Sequence, residues 1–277
     1  MSSLFRGAKL FNSDISKWQV VQVTDMHGMF EGATAFNGDI SKWDVSSVVS
    51  MDGMFEGAAS FNGDISEWDM SRATNTNSMF RDATSFGSDI SKWDLPKVTN
   101  MASMFHGATS FNGDISNWDV SRVRDMGNMF HDATSFKQDI STWKVSSVMS
   151  MRYMFYGATS FDKDISEWDV SRVMNMNWMF YRTPSFSRAL CGTAWANSEA
   201  QKEHMFTQSA GRICFGLGTP TQHAQLDTLR LHLLSFCLHE LSICYVCTYS
   251  VTTINTATLL ITSALLFPLQ RLIPEWN

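Results

Sequence analysis

Cysteine is missing from the first 190 residues of this 277-residue chain; all five (Cys191, Cys214, Cys237, Cys244, Cys247) lie in the last third. Disulfides therefore do not hold the first two thirds together, and that region commits to no redox compartment. The opening MSSLFRGAKLF contains no apolar core and no small-residue cleavage site, which excludes a secretory signal peptide there. Charge is sparse, at 17% of residues, and 27 acidic against 21 basic residues leave a formal charge of −6. Nucleic acid is excluded as the expected partner, because phosphates demand clustered Lys and Arg. Catalytic sets are lacking too. No Ser-His-Asp or Cys-His group emerges, and Gly216-Leu217-Gly218 lacks the third glycine of a phosphate loop. Cys244 and Cys247 have no second ligand pair nearby to complete a metal site. The sequence points to no enzyme, no cofactor and no metal.

What the chain does have is a beat. Trp stands at 18, 43, 68, 93, 118, 143 and 168, an interval of 25 each time. Phe keeps the same interval in two series, from Phe11 to Phe186 and from Phe5 to Phe180. An Asp-Ile pair recurs from Asp14-Ile15 to Asp164-Ile165. One unit, Phe30 to Met54, reads FEGATAFNGDISKWDVSSVVSMDGM. Self-similarity at this period marks a solenoid or a propeller, and propeller blades of four strands need roughly 40 residues or more. A solenoid coil fits.

Ile40, Trp43 and Val45 stand at offsets 0, 3 and 5, the core spacing of a leucine-rich repeat. That predicts a short parallel strand at about Lys42 to Ser46, with Trp43 and Val45 inward by strand alternation. Val48, Met51, Met54 and Phe55 follow at one-face helical spacing, so a short helical segment is expected there. Ser46, Ser71, Ser121, Ser146 and Ser171 are placed to cap it, and Pro96 takes that slot in the fourth unit. No single coil closes its own core, so neighbours must stack. Trp18, Trp43, Trp68, Trp93, Trp118, Trp143 and Trp168 are expected as the structural core. Burying a large apolar side chain gains roughly 1.5–3 kcal/mol.

The run M-F-x-G-A-T-S-F-N-G-D-I-S-x-W-D-V-S-x-V-x-x-M, repeated over about residues 1–186, resembles the BspA-like leucine-rich repeat surface proteins, and most of all their 25–26-residue mycoplasma-lipoprotein type of unknown function. The resemblance implies a right-handed solenoid with a parallel sheet. It also implies a cell-surface or secreted setting and adhesion or protein binding, with no catalytic residues to carry over.

The expected organisation has three parts: a seven-coil solenoid over 1–180, a degenerate last coil serving as cap over 181–213, and a tail over 214–277. Met1 occupies the slot of Met26 and Met51, so the chain begins in mid-repeat. That reads as a fragment, or as a native start whose first coil frays; such an uncapped coil is open to self-association. In the last coil Phe186, Leu190 and Trp195 echo Phe161, Ile165 and Trp168, while Cys191 and Cys214 read as a pair or as two lone thiols. The tail carries an uncharged stretch, 241–268, that reads as a membrane anchor or as a disordered segment.

Three surface files carry candidate functions. The Asp39 file (Asp14, Asp64, Asp89, Asp114, Asp139, Asp164) suits turn capping through amides two residues on. The second file is Asp44, Asp69, Asp94, Asp119 and Asp169, interrupted by Gln19 and Lys144. It reads as a solvated face neutralised by Arg72, Lys97, Arg122 and Arg172, or as a shared cation site. With Lys42, Glu67 and Lys92 it forms the candidate binding face for an unknown protein or glycan. Third, His106 and His131 share one slot in adjacent coils, which reads as a variable surface position. A purely structural spacer and an ion- or ice-binding ladder are the competing functions, the latter resting on a Thr file from Thr34 to Thr159.

Overall fold

The computed structural model describes residues 1–214, which lie in one compact unit, Met1–Gly216. Its organising contact is between residues one repeat apart. Single parallel bridges join Asp25, Ser50, Asn75, Asn100, Asp125, Ser150 and Asn175 in turn, and a last step of 26 reaches Gln201. Along the same stretch every second amide donates to the following coil: Met26 to the Ser50 carbonyl (3.0 Å), Gly28 to Asp52 (2.8 Å), Phe30 to Met54 (2.8 Å) and Gly32 to Glu56 (2.6 Å). Elsewhere the direction reverses, as Val49 donates to Thr24 (2.8 Å) and Ser60 to Thr34 (3.1 Å).

The stretch expected to be helical is a chain of turns. Met54 donates to Met51, Glu56 to Gly53 and Ala58 to Phe55, each a three-residue step. Between them Gly53 and Gly57 lie in the left-handed region at φ 59° and 68°, a conformation glycine adopts without penalty. Apolar residues at offsets 3, 3 and 1 mimic a helix face, but the left-handed residues every fourth position turn alternate amides out of the coil and along the stack. Lys42 to Ser46 likewise forms no strand: two turns flank a short extended piece. Its alternation survives, with Trp43 and Val45 buried and Asp44 exposed. The ladder fails to form there because Asp39 and Asp44 hold the Ser41 and Ser46 amides within their own coil.

Inside, the two Phe series pair within each coil and stack across coils. Phe30 lies 3.8 Å from Phe36, and their counterparts one coil on are at 5.5 and 5.9 Å. The Trp series adds a polar bond that is itself buried. Trp43 donates its indole N–H to the Ile15 carbonyl of the preceding coil, and the pattern recurs from Trp68–Ile40 to Trp168–Ile140 at 3.0–3.3 Å. Each indole thus fills the core and fastens one coil to the last. Trp18 departs from the expected core: it is 37% exposed, although its ring stacks on Trp43 at 6.5 Å.

The irregular last coil supplies the named elements: β1 (Ala189–Leu190), α1 (Thr193–Ala196) and β2 (Arg212–Ile213), with β1 and β2 parallel. Trp195, from α1, reaches the Ile165 carbonyl across 30 residues, so the cap keeps the indole contact despite its altered length. Cys191 and Cys214 form a disulfide beside the β1–β2 pair. The tail, its 241–268 stretch and Cys237, Cys244 and Cys247 lie outside the described residues. Among the described residues no helix is long and apolar enough to cross a membrane.

Candidate functional site

The residues of the expected binding face all emerge at the surface. Lys42, Asp44, Glu67, Asp69, Lys92, Asp94, Asp119 and Asp169 are exposed, because each stands next to a buried Trp on a short extended limb. Lys92 and Glu67, one coil apart, form an ion pair, and the carboxylate holds the Lys92 ammonium above its ordinary pKa. Both partners are more than 60% exposed, so the pair contributes little stability.

The Asp file is held by its own turns rather than by arginine. Asp44 accepts from the Ser46 hydroxyl (2.6 Å) and amide (3.1 Å), and Asp69, Asp119 and Asp169 accept from the amides of Ser71, Ser121 and Ser171. The serine hydroxyls first, and then these amides, hold the four carboxyls below the usual range. Among the described residues Arg72, Lys97, Arg122 and Arg172 form no ion pair with them. Ser46 and its counterparts therefore close turns instead of capping helices. Asp94 is the exception, since its partner position is Pro96, which has no amide to give.

The Asp39 file closes a second set of turns. From Asp14 to Asp164 each carboxylate takes the amide of the serine two residues on, at 2.9–3.0 Å. Those amides lead in lowering the Asp39, Asp64, Asp89, Asp114, Asp139 and Asp164 carboxyls; for Asp14 the Ser16 hydroxyl leads. The Thr file also serves the stack. Thr34, Thr84, Thr109, Thr134 and Thr159 donate hydroxyls to carbonyls of the preceding coil.

Sequence reasoning missed one file outright and, of a second, saw only the shared slot of His106 and His131. Asn12, Asn37, Asn62 and Asn112 each accept, through the side-chain carbonyl, an amide one coil ahead. The signal was the recurrent Asn after Phe. The other is aromatic and lies on the surface. His106 and His131 stack at 4.2 Å, Tyr156 and Tyr181 continue the column, and Tyr153, Trp178 and His204 form a second column beside it. Burial, the neighbouring His131 and Arg81 push His106 down to about 4. Recurrence of Tyr and of aromatics 25 residues apart, off the Phe and Trp beat, was the available sign.

Two of the concavities on the described surface are lined by residues of the expected binding face or its neighbours. One, of about 330 Å³, is lined by Asn62, Asp64, Ser66, Ser88, Asp89 and Lys92. The other, about 950 Å³, lies where the last regular coil meets α1, with Glu167, Asp169, Arg172, Asn197 and Glu199 on its walls. Among the described residues no group of three or more His, Cys, Asp or Glu is arranged to hold a metal.

A family model described as a mycoplasma protein of unknown function, DUF285, matches residues 1–118 and again 83–195. No curated protein and no solved structure matches the chain.

Proposed function

For a chain that belongs to the DUF285 family, a repeat family of unknown function, we propose a non-enzymatic binding scaffold: a leucine-rich-repeat-like solenoid of about seven coils over 1–180 that presents its exposed limbs to a protein or glycan. The observation that carries this reading is the division of labour among side chains. Trp, Phe, Ile and Met are consumed by the core, and Asp, Asn and Thr by turns and cross-coil bonds. What remains variable and exposed is a regular outer surface, the feature by which stacked-repeat proteins bind extended partners. The BspA-like affinity belongs to the same proposal, as does a surface or secreted setting. The Cys191–Cys214 disulfide supports that setting, because such bonds persist in oxidising compartments.

The test is an array of purified extracellular proteins and glycans probed with the full chain and with a Lys42→Glu/Lys92→Glu variant. Saturable binding to a defined target is expected, weakened by changes on the outer surface at unchanged melting temperature. Absence of binding to every target would favour the spacer reading, and metal-dependent turnover of a substrate would contradict both.

A further inference from the structure

Two neighbouring surface slots change character along the stack. One runs Gly28, Gly53, Ser78, Ser103, Asn128, Tyr153, Trp178, His204; the other runs Glu31, Glu56, Arg81, His106, His131, Tyr156, Tyr181. The core slots repeat almost unchanged, so packing does not impose this drift. The first slot resists it. Its amide donates to the next coil, Tyr153 to Asn177 (3.0 Å) and Trp178 to Glu203 (2.8 Å), which fixes a left-handed backbone there. Tyr153, Trp178 and His204 adopt φ 57°, 63° and 53°, where earlier coils use glycine, serine or asparagine. A bulky residue in that region is strained, and retained strain marks places selected for something other than stability.

The rings form a continuous strip. Tyr153 and Trp178 lie 6.1 Å apart, Trp178 and His204 4.3 Å, Tyr156 and Tyr181 5.0 Å, and Trp178 and Tyr181 4.8 Å. Tyr153, Tyr156, Trp178 and Tyr181 are half-buried: each ring covers part of its neighbour and turns its outer rim to solvent. Arg152 lies over Tyr153 and Arg182 over Tyr181. The exposed charges are balanced, Arg152 and Arg182 against Asp132 and Glu203.

We propose that this strip binds a linear, uncharged glycan lying along the stack. The inference rests on the scaffold reading above and moves its binding surface from the limbs to the aromatic slots. Phenol, indole and imidazole rims offer apolar carbon edges beside hydrogen-bonding groups, the mixture that a sugar ring with its C–H and hydroxyl groups requires. Coils stack roughly 4.8 Å apart, close to the advance of one sugar unit, so a linear chain would meet equivalent groups coil after coil. A nucleic acid would need a Lys/Arg track instead, and the strip is neutral.

Native affinity electrophoresis of the full chain through gels containing hydroxyethyl cellulose, laminarin, mannan or dextran tests the proposal. At least one polysaccharide should retard the protein and change its tryptophan fluorescence through Trp178. Tyr153→Asn/Trp178→Asn, which places at both sites the residue that Asn128 already carries in this conformation, should melt cooperatively and lose at least tenfold in affinity. Lys137→Ala, at an exposed lysine outside both surfaces, should keep it. Retardation by none of the four overturns the proposal, as does full binding by the aromatic variant. Loss of binding only in the limb variant Lys42→Glu/Lys92→Glu, or capture of a protein target without any retardation, would leave the scaffold reading standing and sink this one.

Discussion

At the residue scale the indole is the most informative group in the chain. A Trp at a 25-residue interval announces burial, and Trp93 is 3% exposed. The sequence could not show that the same side chain spends its N–H on the carbonyl of Ile65, 28 residues back. Trp93→Ala removes both, and a loss of about 3–5 kcal/mol is expected from truncating a large buried aromatic. Trp93→Phe keeps most of the volume and removes the indole bond alone, since the Ile65 carbonyl still accepts the Trp68 amide at 3.2 Å, so a loss of about 0.5–1.5 kcal/mol is expected. Urea titrations of the two variants separate filling from fastening; no loss in Trp93→Phe would deny the bond any role. The stacked His106 and His131 give a second residue-scale expectation. Burial depresses both, His106 to about 4, so folding prefers them neutral. Stability should be full above about pH 6.5, the ordinary value for histidine, and decline as pH falls from there towards about 4. Asp132, raised by burial, works weakly the other way, while the turn-forming aspartates act only below their ordinary range. His106→Tyr/His131→Tyr, which copies Tyr156, should flatten the decline between pH 6.5 and 4 in a thermal-melt series; an unchanged slope would contradict the assignment.

At the element scale the sequence was half legible. The Asp-Ile-Ser turns were readable because Asp accepts the amide two residues on in most contexts. The strand and the helical segment were not. Both rest on hydrophobic periodicity, and periodicity reports which side chains face inward rather than where amides go. Val48, Met51, Met54 and Phe55 are inward, as expected, along a backbone of turns. The overlooked sign was glycine at 7, 28, 32, 53, 57, 107 and 157, all at positive φ. Gly57→Ala discriminates sharply. In a helix interior the change would stabilise by about 1 kcal/mol; at φ 68° the backbone conformation alone should destabilise it, by about 1–2 kcal/mol, with no clash added because the nearest atoms stand 3.6 Å from the added carbon. A rise in melting temperature would restore the helix.

At the scale of the whole molecule, the 25-residue period and most of the core were legible in the Trp and Phe series, with Trp18 the exception. The disulfide was left open, since two cysteines 23 residues apart fix no geometry until the chain brings their Cα atoms to 4.6 Å. Closing a loop of that size contributes about 3 kcal/mol in the chain-entropy account. Reduction should therefore loosen the last coil first, seen as earlier proteolysis between Cys191 and Cys214, while the interior coils melt unchanged. The surface aromatic strip was the least legible, because a drift in two slots is visible only after the core slots have been explained.

The account stands on coils joined by amides that cross from one repeat to the next, and residue-resolved hydrogen exchange reads those amides directly. Met101, Ser103, Phe105 and Gly107 donate to carbonyls of the following coil, so their amides should exchange slowest, with protection close to the global unfolding free energy. Lys92 and Asp94, on the outer limb, should exchange fast. Strong protection at Lys92 and Asp94 with fast exchange at Ser103 and Gly107 would place the ladder on the limb and contradict the stack described here.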